Sequence, residues 1–250
     1  MKTNFWTLSV MLIPAFLSPC MAYEDRFDAP SSNWQDAFGG GVNRGTAEWS
    51  IADGRMNFFS GLPTNSYNFD NHIAVTTPLQ FSNSQDWSFT VGLNNAASNA
   101  ASAWLYIYVA NDAFSEFFGV YSKGTIDGSR NWVMEAPGFS DPDGPSAPTA
   151  TATQQGSIKI DYFSSSRTYS LSYFNGGIDP ISNPGSWTSI DSYVGLEQGK
   201  MNLYVGFRSE DTVAYGDTYF DNFQSVPEPS ALSLLAVGLG LVLRRSRRTI

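Results

Sequence analysis

Apolar and polar residues alternate with period two, in short runs repeated along residues 23–225, and this pattern limits most what the chain can fold into. Trp87, Phe89, Val91 and Leu93 alternate with Ser88, Thr90 and Gly92. Ile158, Ile160 and Tyr162 alternate with Lys159 and Asp161, and Met201, Leu203, Val205 and Phe207 with Asn202, Tyr204 and Arg208. Successive side chains of a strand point to opposite faces, so each run covers a core on one side. The same reasoning places strands at 46–51, 55–60, 71–76, 104–109, 114–122, 130–135, 167–174 and 217–225. Between them lie turn formers: Ala52-Asp53-Gly54, Lys123-Gly124, Asp127-Gly128, Asn175-Gly176-Gly177 and Asn183-Pro184-Gly185. No stretch carries a convincing amphipathic-helix period. About ten or more short strands without helices pack as a β-sandwich or barrel. The stretch 136–155 has no apolar period and holds Asp141-Pro142-Asp143-Gly144-Pro145, so it reads as one long surface loop within a single domain.

Charge narrows the partners. Residues 23–225 hold nine Lys/Arg against twenty-two Asp/Glu, a formal balance of −13. Neutralising phosphates needs clustered cations, so nucleic acid and anionic lipid are not expected ligands. An acidic surface rich in Ser, Thr, Asn and Gly is also simply that of a solvated extracellular protein.

The two ends carry address labels. Lys2 is the only charge before the apolar run Phe5–Leu17, and the small-residue site Cys20-Met21-Ala22 precedes Glu24-Asp25, the layout of a cleavable secretory signal over residues 1–22. Cleavage after Ala22 removes Cys20, the only cysteine, so the mature domain must stand on its core without a disulfide. Leu17-Ser18-Pro19-Cys20 also resembles a lipobox, in which Cys20 is lipidated. At the other end Val226-Pro227-Glu228-Pro229 is followed by the uncharged run Ala231–Leu243 and then by Arg244, Arg245, Arg247 and Arg248. Thirteen residues as a helix span about 20 Å at ~1.5 Å per residue, short of the ~30 Å hydrocarbon core. The arginines fix the C-terminus in the cytoplasm. Motif, span and basic cluster in this order resemble the PEP-CTERM sorting signal of Gram-negative bacteria. That resemblance implies recognition by a membrane-embedded exosortase, cleavage near Pro-Glu-Pro within residues 226–250, and delivery from a transient membrane anchor to the cell surface or its exopolysaccharide. An ordinary short terminal membrane helix is the alternative.

A second resemblance concerns residues 23–225. Phe27-Asp28 through Trp34, then Gly45 to Met56 with its Trp49 and Asp53-Gly54, are similar to the first strands of concanavalin A-like, laminin G-like jelly rolls. Val205-Gly206-Phe207-Arg208 and Tyr219-Phe220-Asp221-Asn222-Phe223 resemble the closing strands. The resemblance implies an all-β jelly-roll sandwich whose first and last strands lie near each other in one sheet; an immunoglobulin-like or other sandwich is the alternative.

Catalytic signals are thin. His72 is the sole histidine, so no multi-histidine metal site forms, and within Asn71-His72-Ile73-Ala74-Val75 it reads as a packing residue. Glycosidases of the concanavalin-like fold need two carboxylates across the scissile bond, and their Glu-x-Asp-x-Glu strand motif is absent. Glu210 and Asp211 face opposite ways on a strand; Asp217 and Asp221 could share a face but read better as turn and strand-end residues. Binding has better material. In Trp104-Leu105-Tyr106-Ile107-Tyr108-Val109, alternation sends Trp104, Tyr106 and Tyr108 to one face, a row on which sugar rings can stack; the other reading is a strand buried on both faces. Asp141 and Asp143 with neighbouring carbonyls are candidate Ca²⁺ ligands, in a segment that is also a good turn; no other cofactor is expected. Together these features indicate an exported, exosortase-sorted, non-enzymatic carbohydrate-binding or structural component of the exopolysaccharide layer. The competing classes are a glycan-active hydrolase or lyase of the same fold and a purely structural surface protein.

Overall fold

The computed structural model describes residues 23–28, 33–37, 45–61, 71–96, 103–124, 130–137, 149–177, 179–180, 186–195, 199–209 and 212–227. Its strands in chain order are β1 (Tyr23–Asp25), β2 (Gln35–Asp36), β3 (Ala47–Ala52), β4 (Arg55–Ser60), β5 (Asn71–Ser82), β6 (Trp87–Asn95), β7 (Ala103–Ala110) and β8 (Phe117–Gly124). The second half adds β9 (Arg130–Glu135), β10 (Thr149–Ala152), β11 (Gln155–Phe163), β12 (Thr168–Asn175), β13 (Thr188–Val194), β14 (Lys200–Ser209) and β15 (Val213–Pro227). The described residues contain no helix. The expected signal helix and short membrane helix both fall outside them.

The strands form two antiparallel sheets. One runs β13-β12-β11-β6-β15-β4-β3 with β1 paired to the end of β15, and the other runs β10-β9-β8-β7-β14-β5-β2. The first and last strands therefore meet in one sheet, with Tyr23 opposite Ser225, as the jelly-roll resemblance implies. The core lies between the sheets. Trp87, Phe89, Val91, Ile158, Ile160 and Phe58 come from the first, and Leu105, Ile107, Val120, Leu203, Val205 and Phe207 from the second. These are the apolar members of the alternating runs.

Local chemistry explains the joins. Asp53 and Gly54 both have positive φ (56° and 72°), the conformation of a two-residue turn whose twist matches the β3–β4 hairpin it closes. In β15, Phe220 and Phe223 are both in the core although they are three residues apart. Strict alternation forbids that, and a bulge resolves it: the register shifts between Asp221 and Gln224, and Asn222 takes φ 52°. In β5 a second irregularity spans the stretch containing Pro78, so the strand continues to Ser82 rather than stopping at Thr76.

One sequence expectation needs correction. The stretch 136–155 is not a single irregular loop, because residues 149–152 form β10, which pairs with β9 at the edge of the seven-stranded sheet. Thr149-Ala150-Thr151-Ala152 escapes a hydrophobicity pattern because its residues are small, and an edge strand needs to bury little. Residues 141–148, including Asp141 and Asp143, lie outside the described residues. β15 likewise runs two residues past the expected domain end, pairing Val226 with Ser88 and Pro227 with Trp87. The closing strand thus overlaps the first half of the Val-Pro-Glu-Pro motif; Glu228, Pro229 and the arginines at 244, 245, 247 and 248 lie outside the described residues.

Candidate functional site

β7 organises the site. Its alternation sends Leu105, Ile107 and Val109 into the core and Trp104, Tyr106 and Tyr108 to the outer face of the seven-stranded sheet. There the tyrosines lie across glycines of the flanking strands. Tyr106 stands opposite Gly206 of β14 and Tyr108 opposite Gly119 of β8. A Cβ at Gly206 would fall 2.2 Å from Tyr106 Cζ, and one at Gly119 would fall 2.1 Å from Tyr108 Cδ1. Each ring therefore lies flat only because its neighbour has no side chain. With Ala74, Tyr121 and Val133, Trp104 and Tyr106 make a second apolar cluster, separate from the central core.

The polar groups around the row are tightly partnered. Tyr106 Oη donates to the Ile73 carbonyl at 3.0 Å and lies 2.5 Å from His72 Nε2. A phenol has one proton, so with Ile73 taking it His72 must donate through Nε2–H. Burial pushes the Tyr106 phenol pKa up, and burial followed by the positive charge of Arg208 pushes the His72 imidazole down. His72 is therefore neutral at neutral pH and its Nε2 proton is committed, a poor arrangement for a general base at that nitrogen. Tyr108 Oη donates to Glu135 Oε2.

Trp104 is held between two neighbours. The Arg208 guanidinium lies 4.8 Å from its ring centroid, and Tyr121 stacks on it at 5.3 Å and 18°. β14 and β8 flank β7 on opposite sides, so the indole is covered from both and is 8% exposed. Tyr106 is 9% exposed, whereas Tyr108 is half-buried. Phe114, 40% exposed, and Tyr204 stand 5.0 Å apart and continue the aromatic surface.

These groups enclose a cavity of about 320 Å³. That volume is at the small end of the range for small-molecule sites, about 300–1,000 Å³. Among the described residues the arrangement offers aromatic faces, one cation and one carboxylate; it can stack and orient a small ring.

The structure brings the predicted row Trp104, Tyr106 and Tyr108 together on one face. It adds His72, Arg208, Glu135, Phe114, Tyr204 and Tyr121, which sequence reasoning did not join to the row. Alternation already put Tyr204 and Arg208 on the polar face of their strand, but only the β7–β14 register shows Arg208 opposite Trp104. Asp217 and Asp221 lie on β15 in the other sheet, where burial raises the Asp221 carboxyl to about 6. Glu210 and Asp211 fall outside the described residues. Among the described residues no group of three His, Cys, Asp or Glu could hold a metal ion.

Residues 225–248 match the PEP-CTERM protein-sorting motif. The chain carries a PEP-CTERM sorting signal. The signal implies export, membrane anchoring before processing, and processing by an exosortase. Among curated proteins no sequence matches the chain. Solved structures agree on the fold. The CBM2 module of the evolved Dit of Lactobacillus casei BL23 phage J-1 superposes with TM-score 0.57 at 10% identity, covering 83% of this chain and 96% of that one. The endo-β-1,3-glucanase of Pyrococcus furiosus gives 0.55 at 8% identity, with 82% and 93% covered. The GH43B of a Bacteroides ovatus xyloglucan locus gives 0.54 at 10% identity; this chain covers 39% of its length, with 82% of this chain aligned. The domain is a concanavalin A-like jelly-roll β-sandwich.

Proposed function

We propose that this protein is a non-enzymatic carbohydrate-binding protein, delivered by its sorting signal to the cell surface or the extracellular polysaccharide, which seats a sugar ring in the aromatic cavity on the outer face of the seven-stranded sheet. The observation that carries this reading is the cavity itself: aromatic rings over and beside a sheet face, with a few oriented polar groups at its edges. Sugar rings present apolar C–H faces that stack on aromatic rings, and their hydroxyls need fixed polar partners. Tyr108, Phe114 and Tyr204 supply the accessible aromatic surface, while Trp104 and Tyr106 form the floor beneath it. The domain shares its fold with a carbohydrate-binding module, and the destination implied by the signal is rich in glycans.

The hydrolase or lyase alternative has less material. Among the described cavity residues Glu135 is the one carboxylate, and it accepts a hydrogen bond from the Tyr108 hydroxyl. Canonical glycoside hydrolysis needs a facing pair.

A glycan array with the full-length protein in mild detergent tests the proposal. Specific retention without turnover is expected, and Tyr108→Ala should weaken it by about tenfold, equivalent to ~1.4 kcal/mol of binding, with little change in the thermal melt. Turnover of a retained glycan would replace the binder with an enzyme. Retention of no glycan would leave a structural surface protein.

A further inference from the structure

The cavity is electrically polarised along β7. His72, Arg208 and Trp104 form a transverse row, Arg208 standing opposite His72 on one side and Trp104 on the other. Glu135 lies at the far end, across β8 from the level of Tyr108. Four residues of β7 separate the two levels, about 13 Å at ~3.3 Å per residue. Arg208 is the one cation among the described cavity residues. Two other cavity groups feel its charge, His72 and Tyr106. Its guanidinium carbon lies 4.8 Å from the Trp104 ring centroid, a cation–π contact that keeps the charged head at the cavity wall. His72 contributes no competing positive charge at neutral pH.

We propose that this pocket selects an acidic saccharide, a glycan bearing a sugar-ring carboxylate, whose carboxylate pairs with Arg208 while the apolar ring face rests toward Tyr108. This inference rests on the carbohydrate-binding reading and specifies its ligand class. Arginine's fork matches a carboxylate in a bidentate way that no hydroxyl reproduces. The formal balance of −13 over residues 23–225 opposes anions at long range, but that field is screened over about 8 Å at physiological salt. At contact the cation in the wall dominates, so the device confers selectivity rather than fast capture. Glu135 at the opposite end sets the polarity: a second carboxylate there would meet like charge, so the sugar carboxylate has one favoured orientation.

The test compares retention of one uronic-acid polysaccharide with that of its carboxyl-reduced, neutral form on the full-length protein in mild detergent. The parent should bind the acidic form about tenfold or more tightly, the scale of a charge-assisted bidentate contact, and lose that advantage as salt rises from about 0.05 to 0.5 M. Arg208→Gln should bring the two forms within about twofold, and Arg208→Lys should recover only part of the difference, because an ammonium lacks the fork. The polysaccharide pair requires no mutation, so the proposal stays testable if Arg208→Gln does not fold. Equal retention of both forms, or retention of the neutral form alone, would overturn the acidic-ligand inference and leave carbohydrate binding standing. Retention of neither form nor of any arrayed glycan would overturn both.

Discussion

Replacing Trp87 with alanine is expected to lower the unfolding free energy by about 3–5 kcal/mol, the range for large aromatic truncations in a packed core. Trp87 is 2% exposed and belongs to a knot of rings at one end of the sandwich. Phe81 lies 4.5 Å away across the core, Tyr162 stacks at 5.4 Å and 18°, and Tyr169 meets it edge-on at 6.0 Å. The loss extends to hydrogen bonds. The indole N–H donates to Asn83 Oδ1 at 3.3 Å, and the same asparagine donates to Tyr169 Oη at 2.7 Å. Its backbone carbonyl accepts from Tyr162 Oη at 3.3 Å. Truncation therefore opens a cavity and removes one of the groups that orient Asn83 beneath three rings. For a domain of this size a loss of ~4 kcal/mol corresponds to a fall in Tm of about 8–16 °C. Urea unfolding should show a lower midpoint at an unchanged slope. A loss under about 1 kcal/mol would mean that this ring cluster is not packed as described.

The knot around Trp87 was only half legible in the sequence. Alternation marks Trp87, Phe89, Tyr162 and Val91 as core residues, because a strand side chain has two faces to choose from and the polar partners occupy the other. Asn83 gives no such signal. It sits in the turn between β5 and β6, and its role depends on which rings the fold brings over it. The bulge in β15 is a similar case: Phe220 and Phe223 break the alternation, which shows that something irregular occurs, yet the positive φ that accommodates it belongs to Asn222. β10 and β13 leave no pattern in the sequence for a common reason. Both are edge strands, and the exposed Thr188-Ser189-Ile190-Asp191-Ser192-Tyr193-Val194 of β13 buries too little to impose a pattern.

The candidate site divides the same way. The row Trp104, Tyr106 and Tyr108 follows from period two alone. What the row touches depends on register, which a single sequence does not encode without the turns and bulges that set it. Gly119 and Gly206 acquire their packing role only when placed opposite tyrosines; in the sequence each is a glycine within a strand with no sign of what faces it. The same register turns Arg208 from a polar-face residue into the cation over Trp104, and His72 from a packing histidine into the donor that pins Tyr106.

Gly206 is where that dependence can be measured. Gly206→Ala would place a Cβ 2.2 Å from Tyr106 Cζ, 2.3 Å from Tyr106 Oη and 2.5 Å from the Ile73 carbonyl oxygen. The first two atoms belong to a side chain that can leave, but leaving breaks both hydrogen bonds of its hydroxyl, to Ile73 and from His72. The third is backbone of the neighbouring β5 and has no rotamer to change. Overpacking of this kind costs about 1–3 kcal/mol, and each lost hydrogen bond adds roughly 1 kcal/mol, so a total near 3–4 kcal/mol is expected, together with loss of the cavity floor and of glycan retention. Tyr106→Phe, which keeps the ring and removes only the hydroxyl, should cost less, about 1–2 kcal/mol. The decisive measurement is a double-mutant cycle. If the ring lies over Gly206, the alanine should be markedly cheaper in a Tyr106→Ala background, because the ring it displaces is already gone and only the contact with Ile73 remains. Strictly additive losses would show that the two residues do not meet, and the account of tyrosines resting across glycine gaps would fall with them.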